Sequence, residues 1–283
     1  MAIFSESFDL PVGEYVEMGV DWVQDNLTPL LDAFAAIVGF VADGLEDILM
    51  FLPPVLLALV LVGIAWWRVG WKFAVFTLVS MALLLGMNLW QETVETLALV
   101  LASSIVALVI GIPLGIAMAR NDIVEHIVRP VLDFMQTMPA FVYLIPAAIF
   151  FGLGKVPGTI ATVIFSMPPV VRLTNLGIRQ VSKEKIEAGL SFGCTDSQLL
   201  FKVQIPLAMP SIMAGINQTI MLALSMVVIA SMIGAGGLGN TVLTGIQRLN
   251  VGLGFEGGLG VVILAILLDR ITQSFGQRKR GKT

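Results

Sequence analysis

Between Lys202 and Arg248 the chain runs for 45 residues without a Lys, Arg, Asp or Glu. One helix crosses a bilayer core with about 20 apolar residues. The stretch therefore has to hold a full span, at about Ser211–Ile233, and a glycine-rich loop beyond it. Other apolar runs repeat along the chain: Ile48–Trp67, Phe73–Gln91, Thr96–Ala119, Phe134–Gly154, the shorter Val156–Val171, and Gly257–Phe275 with Asp269 and Arg270 near its end. Of all residues, 57% are hydrophobic and 13% charged, against about 25% charged in soluble domains. The reading is an all-α polytopic membrane protein of about seven spans. Pro53-Pro54 suits the start of the first helix, where a missing N–H is tolerated. The basic n-region and early apolar run of a cleavable signal peptide are missing, so insertion is expected to rely on the first span. The single cysteine, Cys194, excludes an intrachain disulfide.

Lys and Arg set the direction of the spans. With seven alternating spans, one set of loops holds Arg68, Lys72, Arg120, Arg129, Arg172, Arg179, Lys183, Lys185, Lys202 and the tail Arg278-Lys279-Arg280; the other holds Lys155 and Arg248. The bias puts the first set and the C-terminus in the cytoplasm and the N-terminus outside. Ten of the twenty acidic residues lie in the first 50 positions, and no Lys or Arg precedes Arg68. Leu27, Leu30, Leu31, Phe34, Ile37, Val38, Val41, Leu45 and Ile48 recur there at helical spacing, with Asp25, Asp32, Asp43 and Asp47 opposite. Two readings stay open for this amphipathic helix: lying along the outer membrane surface, or packed on the bundle. Anionic lipid would repel its acidic face, which favours some packing on protein. The division drawn is an extracytoplasmic N-terminal segment (1–47), two N-terminal spans (48–91), a core (92–275) with a cytoplasmic loop (172–206), and a basic tail (276–283).

That loop is polar where its neighbours are apolar. Thr195-Asp196-Ser197-Gln198 is a capping box, so a helix should start there and run through Leu199, Leu200 and Phe201. Glu184–Phe192 is a second short helical stretch, Gly193 suits a turn between them, and Pro206 should bound the second helix. The expected product is a helix–Gly–helix knob exposing Leu190, Phe192, Leu199 and Phe201. A folded loop of this size argues for a docking partner.

The loop resembles the EAA loop of permease subunits of ATP-binding-cassette importers. That pattern reads Glu-Ala-Ala, three residues, Gly, nine residues, Ile-x-Leu-Pro. Here Glu187-Ala188-Gly189 is followed at the same spacing by Gly193 and by Val203-Gln204-Ile205-Pro206. Gly189, Val203 and Ile205 depart from the pattern but stay small or aliphatic. The resemblance implies that the loop forms the coupling helix seated in a groove of a cytoplasmic ATPase. Glu187 would be the polar contact and N-terminal helix charge, Gly193 the tight turn and Pro206 the helix boundary. Longer stretches, Met135–Tyr143, Phe165–Pro169, Asn217–Met226 and Val228–Gly239, are similar to the glycine betaine/proline betaine permeases. This implies a type I importer transmembrane domain in a bacterial or archaeal cytoplasmic membrane. It also implies a permease homodimer, two ATPase subunits, an extracytoplasmic substrate-binding protein, and uptake of quaternary ammonium osmoprotectants.

Apart from resemblance, a quaternary ammonium ion is usually held by aromatic faces. Phe141 and Tyr143 lie near Met135 and Met138 in a segment broken by Pro139 and Pro146. These four, with Gln218, are candidates for lining a path; packing is the favoured reading, as for Asn217 and Ser225, which can bond between helices. No tight substrate site is expected in this chain. His126 reads as a solvated interfacial residue. Gly234, Gly236, Gly237 and Gly239 permit irregular backbone at the outer end of span six, as an outer gate, a binding-protein contact or a plain turn; the Gly-Lys-Ser/Thr ending of a phosphate cradle is missing. No nucleotide motif, metal set, cofactor site or nucleic-acid-binding feature is found, so the chain is expected to hydrolyse nothing itself. An ion-coupled carrier predicts charges inside the spans, and none sits mid-span. A tension-gated channel rests only on the glycines and the interfacial helix. Within the importer class, the alternative is a different small solute, such as an amino acid.

Overall fold

A computed structural model describes residues 11–276 of the 283; the basic tail from Gln277 onward lies outside the described residues. Among the described residues thirteen α-helices follow one another: α1 Val12–Phe51, α2 Pro54–Arg68, α3 Trp71–Gly86, α4 Trp90–Arg120, α5 Asp122–Thr137, α6 Leu144–Phe151, α7 Lys155–Ser166, α8 Pro168–Arg179, α9 Lys183–Ser191, α10 Asp196–Leu199, α11 Ile205–Ala230, α12 Gly237–Gln247 and α13 Val251–Gly276. No strand occurs among the described residues, as expected from spans that must satisfy their own backbone bonds.

Among the described residues four helical units are long and apolar enough to cross a membrane: Trp90–Arg120, Lys155–Arg179, Asp196–Ile233 and Val251–Gly276. Two bent pairs raise the number to six, and α3 is a shorter apolar helix. Several boundaries differ from the expectation. The run Ile48–Trp67 breaks at Leu52-Pro53, where α1 and α2 meet at 104°; Pro54 opens α2 as its first residue. The run Phe73–Gln91 ends at Gly86, because Asn88 takes a left-handed φ of 57°, a conformation Asn tolerates. Trp90 and Gln91 then belong to α4, which brings Glu92 and Glu95 into its first turns. The run Phe134–Gly154 is no single helix: α5 stops at an extended Met138 before Pro139, and a 3₁₀ turn, Ala140–Tyr143, leads into α6 at 111°. Finally, α7 continues through α8 to Arg179, so residues 172–179 belong to this helical unit and the loop starts later than drawn.

Close approach builds the core. Gly111 and Gly115 of α4 face α8: a Cβ at Gly111 would lie 2.6 Å from Val170 Cγ1, and one at Gly115 would lie 2.7 Å from both Thr174 Cβ and Val171 O. This is the small-xxx-small notch by which membrane helices bring their backbones together. Gly177 and Gly215 do the same between α8 and α11. The notch is surrounded by Met118, Leu132, Val170 and Val171, and elsewhere in the bundle Leu97, Val100, Ala223, Leu224, Val227, Leu238, Leu264 and Leu267 form the main buried cluster. The second half of α1 packs on this bundle: Val38 is fully buried with Val106 and Ile160, Gly39 meets Val156, and Lys155 pairs with Asp43 and Glu46. Of the two readings for the amphipathic helix, the second half takes the packed one.

The loop ends sort themselves. Arg68 bonds Ser274 O at 3.1 Å and stacks 3.8 Å over Phe275, which joins the ends of α2 and α13. Ala119, Arg120, Ile178, Asp196 and Gln204 line one cleft at the same kind of end for α4, α8 and α11. These are neighbours within the Lys- and Arg-rich set of loops.

Candidate functional site

The knob forms as local chemistry demands. Helix α9 closes with two bonds, Gly193 N–H to Leu190 O at 2.9 Å and Cys194 N–H to Gly189 O at 3.1 Å, and Gly193 has a φ of 79°. That pairing is the Schellman closure, in which a residue without Cβ takes the left-handed position. Thr195 Oγ1 then accepts from Gln198 N at 3.3 Å, and Gln198 Oε1 accepts from Thr195 N at 3.1 Å, completing the capping box.

Three details correct the expected knob. Leu199 is buried at 8% exposure, while Leu190, Phe192 and Phe201 stand out at 50, 89 and 62%. Leu199 is the clasp between the two helices: a Cβ on Gly189 would come within 2.8 Å of its Cδ1, so an alanine there asks only that this leucine tip shift. Glu187 sits in the second turn of α9 and is exposed; the first-turn acid at the helix N-terminus is Glu184. Pro206 ends nothing. The chain passes from α10 through a π-turn, Leu200–Gln204, straight into α11. Ile205 N–H bonds Leu200 O five residues back, and this wider turn makes room for a proline ring that would clash with the carbonyl four residues back. Val203 and Ile205 are half-buried, Ala188 and Pro206 exposed. An apolar groove beside them is lined by Lys202, Val203, Pro206, Leu207, Met209, Pro210 and Phe275.

At the opposite end of the bundle the glycine segment is held by side chains that sequence reasoning did not connect with it. Gly234, Gly236 and Gly237 all have positive φ, at 88°, 81° and 68°. Gly154 N–H donates to Ile233 O at 2.8 Å. Glu95 Oε2 accepts from Gly237 N at 2.8 Å, Thr96 Oγ1 accepts from Leu238 N at 2.8 Å, and Gln91 Nε2 donates to Glu95 Oε1 at 3.1 Å. A carboxylate at a helix N-terminus meets free N–H groups and the positive end of the dipole. Thus α4 caps α12. Gly239 seats α12 on α11, since a Cβ there would lie 2.5 Å from Val227 O.

The candidates for a path divide. Tyr143 is buried among Leu144, Ala147, Ala161 and Met226, its hydroxyl donating to Met135 O and its ring edge-on to Phe165; it is a packing residue. Met135 and Met138 are half-buried, while Phe141 and Gln218 are exposed. Gln218 shares an open face of α11 with Ala214, Met221 and Ser225. Asn217 turns the other way and donates to Asp269 Oδ1 at 2.9 Å, tying α11 to α13. His126 is exposed, its Nδ1 against Asp122 O. No group of three or more metal-ligating side chains occurs among the described residues.

A bundle of apolar helices, bent twice and carrying a capped polar knob between two of its spans, defines a multi-pass membrane protein. The family described as "Binding-protein-dependent transport system inner membrane component" matches residues 111–281, and the chain belongs to it. The chain is 50% identical over 273 residues to the glycine betaine/proline betaine transport system permease protein ProW of Escherichia coli, covering 96% of this chain and 77% of that protein. It is 52% identical to the glycine betaine/carnitine transport permease protein GbuB of Listeria monocytogenes, over 93% of this chain and 96% of that one. Identity to the glycine betaine transport system permease protein OpuAB of Bacillus subtilis is 46%, over 96% and 97%. Among solved structures, an inward-facing form of the MetNI methionine ABC transporter shares the fold, with a TM-score of 0.59 at 23% identity over 67% of this chain and 96% of that one.

Proposed function

We propose that the chain is the membrane-spanning subunit of an ATP-driven importer for glycine betaine or a related quaternary ammonium solute. The observation that carries the substrate is the 46–52% identity, over nearly the whole chain, to three permease proteins named for glycine betaine. Likeness to the methionine transporter is one of fold, and lends no weight to an amino-acid substrate. Two such chains form the path, each knob seats on an ATPase subunit, and an extracytoplasmic binding protein delivers the solute. The N-terminus lies outside and the C-terminus in the cytoplasm. Supporting the coupling role is the exposed apolar surface of Leu190, Phe192 and Phe201 beside the exposed Glu187, on a turn fixed by three local devices.

The open face of α11 lines the path between the two copies. Gln218 supports this: facing lipid, an unpaired amide would cost several kcal/mol. Water or protein must therefore adjoin that face. The glycine segment and α12 form the outer gate. Reconstitution tests the whole. Uptake of labelled glycine betaine into proteoliposomes should require this chain, the ATPase, the binding protein and ATP together. Uptake by this chain alone, or with an amino acid preferred over betaine, would sink the reading.

A further inference from the structure

We infer that Arg179 is a positioning residue that fastens the root of the knob to the corner between α4 and α5, so that α5 moves with α8. The inference rests on the proposed function only in taking the knob as the place where the ATPase acts. Arg179 is the last residue of α8, four positions before α9 begins at Lys183. Its guanidinium reaches two other helices at once. Nη2 donates to Met118 O at 2.8 Å and to Asp122 Oδ1 at 2.7 Å, and lies 3.0 Å from Glu125 Oε2, while Nε donates to Asn175 Oδ1 at 3.0 Å. Met118 O is one of the last-turn carbonyls of α4 that no helical N–H satisfies. Asp122 and Glu125 are the first-turn acids of α5. Asn175 closes the set by donating to Glu125 Oε1 at 3.1 Å. One fork thus serves the end of α4, the start of α5 and its own helix. The side chain of Glu125 is 14% exposed, that of Arg179 34% and that of Asp122 76%, so the Glu125 pair is the one solvent screens least.

A second tie lies further along the same two helices. Arg172 pairs with Asp133, so α5 is held to α8 near both of its ends. Beyond Asp133, α5 stops at the Pro139 break that leads to the exposed Phe141. The pair is a strut from the knob's root to that bend. A push on α9 reaches the bend along α5. Lysine cannot replace the arginine, because a point charge with three donors lacks the planar fork.

The test uses the complete importer, with ATPase and binding protein, in proteoliposomes. Arg179→Ala is expected to keep the ATPase bound and hydrolysing while solute moved per ATP falls at least about fivefold, the lower range of coupling between sites; Arg179→Lys should recover only part. A merely structural role would lower hydrolysis and transport together. For a variant pair that does not depend on Arg179→Ala folding well, Glu125→Cys with Asn175→Cys is made in a Cys194→Ser background. It should lose coupling until a short bis-methanethiosulfonate joins α5 to α8, and then regain it. Full coupling in Arg179→Ala, or a bridge that fails to restore transport, overturns the inference. If Phe192→Ala leaves ATPase assembly and transport untouched, the reading of the knob fails instead.

Discussion

Replacing Gly237 with alanine puts the attachment of α12 to its sharpest test. Gly237 opens α12 at φ 68°, and a Cβ there would sit 2.5 Å from Thr96 Oγ1, 3.2 Å from Thr96 N and 3.3 Å from Glu92 O. Two of those three atoms are backbone and cannot rotate away. The left-handed conformation alone costs an L-residue about 1–2 kcal/mol. Relieving the clash moves α12 off α4, which lengthens the bond from Gly237 N to the Glu95 carboxylate, worth about 1.5–3 kcal/mol as a charged hydrogen bond, and the bond from Leu238 N to Thr96, worth about 0.5–1.5 kcal/mol. The total is roughly 3–6 kcal/mol if both are lost. On the lower average measured for bonds within membranes, about 0.6 kcal/mol each, it is still roughly 2–3 kcal/mol. Since 1.4 kcal/mol is a factor of ten, even the lower figure raises the undocked population more than tenfold. Hydrogen–deuterium exchange over residues 237–247 reads this directly, with solute uptake beside it. Gly234→Ala is the internal control: its φ is also positive, but the nearest atoms lie 3.6 Å away, so it should pay the conformational cost alone and change exchange less. Equal exchange in wild type and Gly237→Ala would refute the account of Glu95 and Thr96 as the holders of α12.

Three further outcomes are expected. Gly193→Ala forces a Cβ into the φ 79° position at the end of α9 with no neighbour in the way; it should cost about 1–2 kcal/mol of local order and weaken co-purification of the ATPase. Gly189→Ala should be nearly neutral in the same assay, because the atom in its way is the tip of Leu199 and alanine favours a helix over glycine by about 1 kcal/mol. Lys155→Met leaves Glu46, whose side chain is 14% exposed, without its cation; about 1–3 kcal/mol of α1 attachment is lost, seen as faster proteolysis of the first 50 residues with the core intact.

What could be read in advance was what neighbours in sequence decide. The Thr195–Gln198 box, the Gly193 turn and the Pro54 start each follow from backbone groups within five residues of one another, and the chain adopts all three. The failures have a common physical cause. Pro113, Pro130 and Pro210 sit inside helices that continue through them, whereas the helix stops before Pro139; surrounding packing decides, and the residue type alone does not. The burial of Leu199 is not legible locally because it depends on what faces it across the Gly193 turn. Glu95 and Gly237 are 142 positions apart, and Arg179 finds its acids across α5, so neither pairing leaves a local trace. One contact does leave a local trace: Gly111 and Gly115 stand four apart in an apolar run, the spacing of a helix contact face.

That glycine notch bears on how the two ends of the molecule communicate. Helix α4, about 46 Å long at 1.5 Å per residue, carries Glu95 and Thr96 at one end and Met118 at the other. It thereby caps α12 and accepts from Arg179 with the same rigid element. Between those points it is pressed onto α8 through Gly111 and Gly115, which meet Val170, Val171 and Thr174. No Asp, Glu, Lys, Arg or His lies in α4 between Glu95 and Arg120, so no charge movement along this helix is available to link the ends. On the proposed function, the link is mechanical, through close-packed helices that shift as units because packed interiors deform little. On the proposed function, the knob's root and the outer latch are then two attachments of one lever. A change at either should be felt at the other, even though no side chain reaches between them.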